Sequence, residues 1–325
     1  MPTVPDLNLL QLTLTAAAVS LPTFGWVMLG LALRVLGWLQ PRHVQAISKF
    51  AFNAALPVLL FISAAGVDFA ALGGATYLLA GVLATLLTLC LSWLYARWRG
   101  FARPVLGVFV QAGFRSNLAI LGFALCHAAY GEQGLSLAAL PVAVMTALYN
   151  ALAVWVLQVT HGGSRSFLGL LYGLVRNPLL LGIGAGMLYA VSGIPLPGFT
   201  PVVSQLLSQG FLPLVLVSIG AAMRLSLLRS AGSVTWEAAG WRLLVGPTLG
   251  VLLALLLGVA PMQLGVLFLL LSSPVAAASF VMVVAARGDG TLASNMIVLT
   301  TLLSILTVTA GFALLVVLGL AAVPL

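Results

Sequence analysis

Residues 111–123 read QAGFRSNLAILGF, and residues 269–280 read LLLSSPVAAASF. Each is the polar middle of an otherwise apolar stretch, and neither suits a helix that faces lipid. Gly113, Arg115, Ser116, Asn117 and Gly122 cluster in the first, and Ser272, Ser273 and Pro274 in the second. Proline removes a backbone donor and frees an upstream carbonyl, so Pro274 predicts a kink or a break. Irregular backbone at membrane depth is tolerated only where protein or a wet cavity covers it. The two segments therefore predict broken helices whose interruptions meet inside the molecule.

The surrounding composition is that of a membrane protein. Hydrophobic residues make up 62% of the chain and charged residues 6%, against about 25% charged in soluble domains. Apolar stretches run over 14–37, 44–65, 75–96, 104–129, 136–159, 177–193, 202–223, 238–258, 262–285 and 292–320. Each is near the ~20 residues that cross a hydrocarbon core. Eleven of the 13 Lys and Arg residues fall in every second connection, from Arg34, Arg42 and Lys49 to Arg287. Basic residues near span ends stay cytoplasmic, which predicts an all-α polytopic protein with ten transmembrane helices and both termini outside. The first twenty residues lack a basic n-region and carry Asp6, so they do not read as a cleaved signal peptide. The net charge of +8 then reports topology, with basic loops facing anionic lipid. No basic patch with interleaved aromatics points to nucleic acid. Cys90 and Cys126 both lie inside spans and read as small apolar fillers, without a disulfide.

The chain also repeats itself. An offset of 156 residues carries Pro22, Gly30, Val35 and Gly37 onto Pro178, Gly186, Val191 and Gly193. The same offset carries Leu56, Pro57, Leu60 and Ala65 onto Leu212, Pro213, Leu216 and Ala221. The implied organisation is a first five-helix repeat over 1–160, a cytoplasmic connector over 161–176 containing a short interfacial helix, and a second repeat over 177–325. Five spans is an odd number, so the second half enters the membrane inverted. Inverted repeats with interrupted helices at the midplane are a transporter pattern. At this offset Asn117 falls opposite Ser273, and Leu118 opposite Pro274, so the broken helices are the fourth and the ninth.

Arg115 is the costliest residue. A central arginine costs roughly 2.5–3.5 kcal/mol on insertion scales. No Asp or Glu lies within an apolar stretch to neutralise it, which leaves two roles: attracting an anion, or capping the carbonyl ends of broken helices. Arg242 lies near the start of its stretch, where snorkelling to the cytoplasmic surface is expected. Asn150 is a better site candidate than the serines and threonines, which can satisfy a carbonyl four residues back. His127, late in the fourth span, could carry a proton. There is no HExxH metal motif, no pair of intramembrane aspartates and no Ser-His pair, so no enzyme, metal or cofactor is expected.

Six ordered motifs and the chain's ending resemble one family. FNAALPVLLF (52–61), SNLAILG (116–122), LYNALAV (148–154), RNPLLLGIGAG (176–186), FLPLVLVSIGA (211–221), SSPVAAASF (272–280) and ASNMIVLTTLLSILTV (293–308) together are similar to the auxin efflux carriers. That family includes plant auxin carriers and bacterial carriers of malonate or malate type. The resemblance implies two inverted five-helix repeats, each split into a scaffold part and a transport part, with crossing broken helices. It implies a substrate-contacting Asn117, a crossover Pro274 and a second-span Ser63 within FIS (61–63). It also implies a homodimer. One departure stands out: many members carry Gly-Ile-Pro or Gly-Leu-Pro after the asparagine, whereas this chain has Gly122-Phe123-Ala124.

The function expected is secondary transport of a small organic anion, a carboxylate, by an elevator-like alternating access in a bacterial inner membrane. The substrate would sit among Asn117, Ser116, Arg115, Ser63, Asn150, Ser272, Ser273 and Pro274. Half-helix N-termini carry partial positive charge and suit a carboxylate. A sodium-coupled organic-anion symporter of the bile-acid type shares this architecture and differs in ion dependence. An anion channel would need a continuous wet path, and no ring of charges or repeated filter motif is present.

Overall fold

The computed structural model describes residues 9–66, 76–161, 176, 178–223, 225–226 and 231–324. Most of the connector expected over 161–176 lies outside them. Among the described residues every element is helical, and no strand occurs. In chain order the α-helices are α1 Leu9–Val35, α2 Pro41–Phe50, α3 Leu56–Ala65, α4 Thr76–Trp98, α5 Arg103–Phe114, α6 Phe123–His161 and α7 Pro178–Val191. They continue as α8 Thr200–Gln205, α9 Leu212–Ala222, α10 Ser233–Gly240, α11 Gly246–Leu256, α12 Pro261–Ser272, α13 Ala278–Ala285 and α14 Gly290–Val317. Among the described residues six helices are long and apolar enough to cross a membrane. One of these, Leu118–His161, is 44 residues long. It bends at Tyr130 and Gly131, where Gly131 adopts φ 56°, a left-handed value that a side chain disfavours. Three further apolar helices, Asn53–Ala65, Pro178–Val191 and Pro261–Ser272, are shorter.

Prolines decide where the helices change pitch. Pro57, Pro213 and Pro247 each sit in the first turn of an α-helical segment that follows a wider π-turn, at Ala51–Ala55, Leu206–Phe211 and Trp241–Val245. A proline ring clashes with the carbonyl four residues back and cannot donate, and one wider turn absorbs both effects. The first two cases are the Leu-Pro pairs at 56–57 and 212–213, so equivalent sequence produces equivalent local structure.

Large apolar side chains face outward, and polar groups are buried within an apolar core. Trp98 and Leu256 are each 80% exposed, while Ser92, Ser273, Thr300 and Ser304 are fully buried. An apolar exterior suits a lipid solvent. Each described acid has a structural partner. Asp289 caps α14 by accepting from the Leu292 backbone N–H at 3.0 Å. Glu132 accepts from the Ser204 hydroxyl at 2.7 Å and from Ser208 at 3.4 Å. Glu237 takes a two-pronged bond from Arg99, at 2.7 and 3.1 Å, and a third from the Tyr95 hydroxyl at 3.0 Å.

Two helix pairs approach backbone to backbone. α1 packs on α9, and α3 packs on α7. A Cβ on Gly30 would overlap the Val217 carbonyl, and one on Gly186 would overlap the Phe61 carbonyl. Gly30 and Gly186 are 156 residues apart, as are Phe61 and Val217, so the two contacts are related by the sequence offset. α4 packs against α5 and α11, on the side where the interrupted helices lie. Cys90 is exposed, Cys126 is buried, and both are free.

Candidate functional site

α5 starts with a proline in its first turn, stops at Phe114, and hands over to an extended Arg115 at φ −90°, ψ 94°. The chain resumes helical structure in a π-turn at Leu118–Gly122 that runs into α6. α12 likewise begins at a proline and stops at Ser272, and Ser273 is extended at φ −60°, ψ 145°. A residue before proline is pushed out of helical space, so Pro274 explains this second stop. No proline follows Asn117, and the first break rests on polar residues instead.

The two breaks pair with each other. Ser116 and Val275 form an antiparallel bridge. The Asn117 N–H donates to the Pro274 carbonyl at 2.8 Å, and the Ala276 N–H donates to the Arg115 carbonyl at 3.2 Å. The Val275 N–H donates to the Thr300 hydroxyl at 3.1 Å, from α14. Backbone groups released by broken helices must find partners inside the membrane, and here they find one another. The pairing is antiparallel, so the separation of facing residues changes along it, from 157 for Asn117 and Pro274 to 161 for Arg115 and Ala276, and it is not a repeat offset. In space Asn117 bonds through its backbone to Pro274.

Arg115 is 6% exposed. Its guanidinium donates to the Asn150 amide oxygen at 2.7 Å, to the Tyr149 carbonyl at 3.4 Å and to the Met282 sulfur at 3.0 Å. Its Nε is buried without an acceptor. No carboxylate pairs with it among the described residues. Tyr149, buried beside Asn150, hydrogen-bonds Ser116 through the two hydroxyls at 3.2 Å and meets Phe114 edge to face at 5.8 Å. The Asn117 side-chain amide makes no hydrogen bond among the described residues.

Arg242 corrects the sequence expectation. Snorkelling requires an exposed head group, yet this side chain is 1% exposed. It donates to the Gly113 carbonyl at 3.1 Å and to the Leu271 carbonyl, the ends of α5 and α12. The carbonyl-capping role weighed for Arg115 belongs to Arg242 instead. The π-turn at Trp241–Val245 lies in the middle of an apolar helix, and nothing in residue spacing reveals that it directs this side chain inward.

The crossover gathers Arg115, Ser116, Asn117, Asn150, Ser272, Ser273 and Pro274. Ser272 and Ser273 bond back to the Leu269 carbonyl, at 3.5 and 2.9 Å. Ser63 bonds back to Leu59 at 2.8 Å within α3, and no hydrogen bond joins it to the crossover. Tyr149, Thr300 and Met282 are the additions that residue type alone passes over. Tyr149 had one available signal, since it directly precedes Asn150 within LYNALAV (148–154). Among the described residues no group of three His, Cys, Asp or Glu could hold a metal ion. Chemically the site offers hydrogen-bond donors and one uncompensated cation, which suits binding an anion.

No family model matches the chain. Over 286 residues, covering 86% of this chain and 92% of the relative, it is 26% identical to a protein described as an uncharacterized transporter from Methanothermobacter thermautotrophicus (strain Delta H). Apolar helices long enough to cross a membrane and a transporter relative along most of its length support a multi-pass membrane protein of transporter type.

Proposed function

We propose that the chain is a secondary carrier of a small organic anion, a carboxylate, that binds at the crossover and is moved by alternating access. The observation that carries this reading is Arg115: a buried guanidinium held, among the described residues, only by neutral groups, two residues from an asparagine amide with no described partner. An uncompensated buried charge costs several kcal/mol, and a bound anion offsets that cost. Asn117 donates to the carboxylate, and Arg115 raises the local potential.

The reading extends to ten spans in two inverted repeats, 1–160 and 177–325, with both termini outside and an auxin-efflux-like division of labour. Three features support it: the Gly30 and Gly186 contacts related by one offset, the twin π-turns before Pro57 and Pro213, and the antiparallel bridge between the breaks. α1, α3, α7 and α9 form the scaffold, and the crossover group moves against it. A bacterial inner membrane and a homodimer complete the proposal.

Thermal shift of the purified protein against a panel of mono- and dicarboxylates tests the substrate class. A true ligand at about 100 times its Kd stabilises the native state by roughly 2.7 kcal/mol. Absence of any shift across the panel, with the protein folded, defeats the anion reading. Uptake into proteoliposomes with sodium replaced by potassium or choline tests coupling. The expected result is persistent uptake, because each described carboxylate is engaged by a structural partner away from the crossover. A strict sodium requirement favours the bile-acid-type symporter.

A further inference from the structure

We propose that Arg242 is the positioning residue of the crossover, tying the C-terminal ends of the two interrupted helices to one another. α5 and α12 both stop inside the protein, and the last carbonyls of a helix have no partner within it. Each end also carries roughly half a unit of negative charge. The bridge between Ser116 and Val275 brings the two ends together, so about one unit of negative charge collects at one buried place.

One guanidinium meets it. Arg242 enters from a third helical segment, the π-turn at Trp241–Val245. One of its terminal nitrogens donates to Gly113 at 3.1 Å and the other to Leu271. These carbonyls lie in the last turns of α5 and α12 respectively. The planar fork of an arginine can hold two acceptors at once, in a way that the point charge of a lysine does not reproduce. This pairing accounts for a cation 1% exposed with no carboxylate partner among the described residues.

The two buried arginines therefore divide the work. Arg242 gives its two terminal nitrogens to the helix ends, with the Tyr149 side chain also against it. Arg115 touches neither end through its side chain; its partners are Tyr149, Asn150 and Met282. Arg242 acts through the bridge, keeping the Asn117 and Ala276 N–H groups on their cross-partners at 2.8 and 3.2 Å. The transport reading adds only the consequence that the anion site depends on this tie.

Hydrogen–deuterium exchange on the purified full chain tests the proposal without any substrate, so failure of the transport reading leaves its outcome untouched. In Arg242→Gln, peptides covering 112–120 and 270–280 should exchange roughly ten- to a hundredfold faster, the loss expected for a charge-assisted bond. In Arg242→Lys, which keeps the charge and loses the fork, both peptides should show an intermediate rate. Peptides from α1 and α9 should match the native chain in both variants. Unchanged exchange at both breaks overturns the proposal. So does an even acceleration across α1, α9 and the breaks in Arg242→Lys, which would make Arg242 a general core residue. If Arg242→Gln does not fold, the lysine variant decides alone, by whether its loss is confined to the breaks.

Discussion

Arg115, unlike Arg242, caps neither helix end with its guanidinium. Arg115→Gln should therefore separate function from folding. Carboxylate affinity is expected to fall about ten- to a hundredfold, the worth of one charge-assisted hydrogen bond. The melting temperature of the ligand-free protein should hold or rise, since an uncompensated buried charge has been removed. A clear drop in that temperature would mean that Arg115 is a structural tie. Asn117→Ala should lose affinity by a similar factor, with folding intact, because the amide has no described partner to strand. Unchanged affinity for a confirmed substrate removes Asn117 from the site. Arg115 and Asn117 were legible as site candidates from residue type alone: a cation and an amide within one apolar stretch have few other uses. Tyr149 was not, because a tyrosine reads as an apolar body until its hydroxyl is seen against Ser116.

Among the helices, glycine marks where backbones touch. Gly30→Ala on α1 drives a methyl group into the Val217 carbonyl of α9. Overpacking of this kind costs about 1–3 kcal/mol, more than the ~1 kcal/mol that alanine gains in a helix. Gly25→Ala on the same helix meets nothing within 4 Å and should be neutral or slightly stabilising. Gly186→Ala on α7 should match Gly30→Ala, because its contact with Phe61 is the same contact at the repeat offset. Thermal unfolding in detergent compares the three; equal melting temperatures for Gly25→Ala and Gly30→Ala would sink the close-packing argument. The break at Pro274 was visible as an element boundary, since proline dictates its own and its neighbour's backbone. The partner break had no proline, and its stop at Phe114 is understood only through the strand-like bonds that its residues make to Pro274 and Ala276.

For the molecule as a whole, charge in the loops predicts orientation. In a background with the exposed Cys90 replaced by alanine, Gly198→Cys and Ala260→Cys should react with an impermeant reagent added outside. Ala102→Cys, between Arg99 and Arg103, should not. Reversed labelling overturns the orientation and the charge argument with it.

The sequence by itself determined that the chain is helical and membrane-embedded, where its prolines fall, and that Arg115 and Asn117 share one break. These are local properties: hydropathy runs, proline sterics and loop charge act within a few residues of one another. Only the tertiary structure decided which cation compensates which backbone. Arg242 lies 129 residues from Gly113 and 29 from Leu271, and no local rule links them. The antiparallel pairing of the two breaks is decided in the same way. It depends on how two chain segments face each other across the core, where each released N–H takes the nearest free carbonyl.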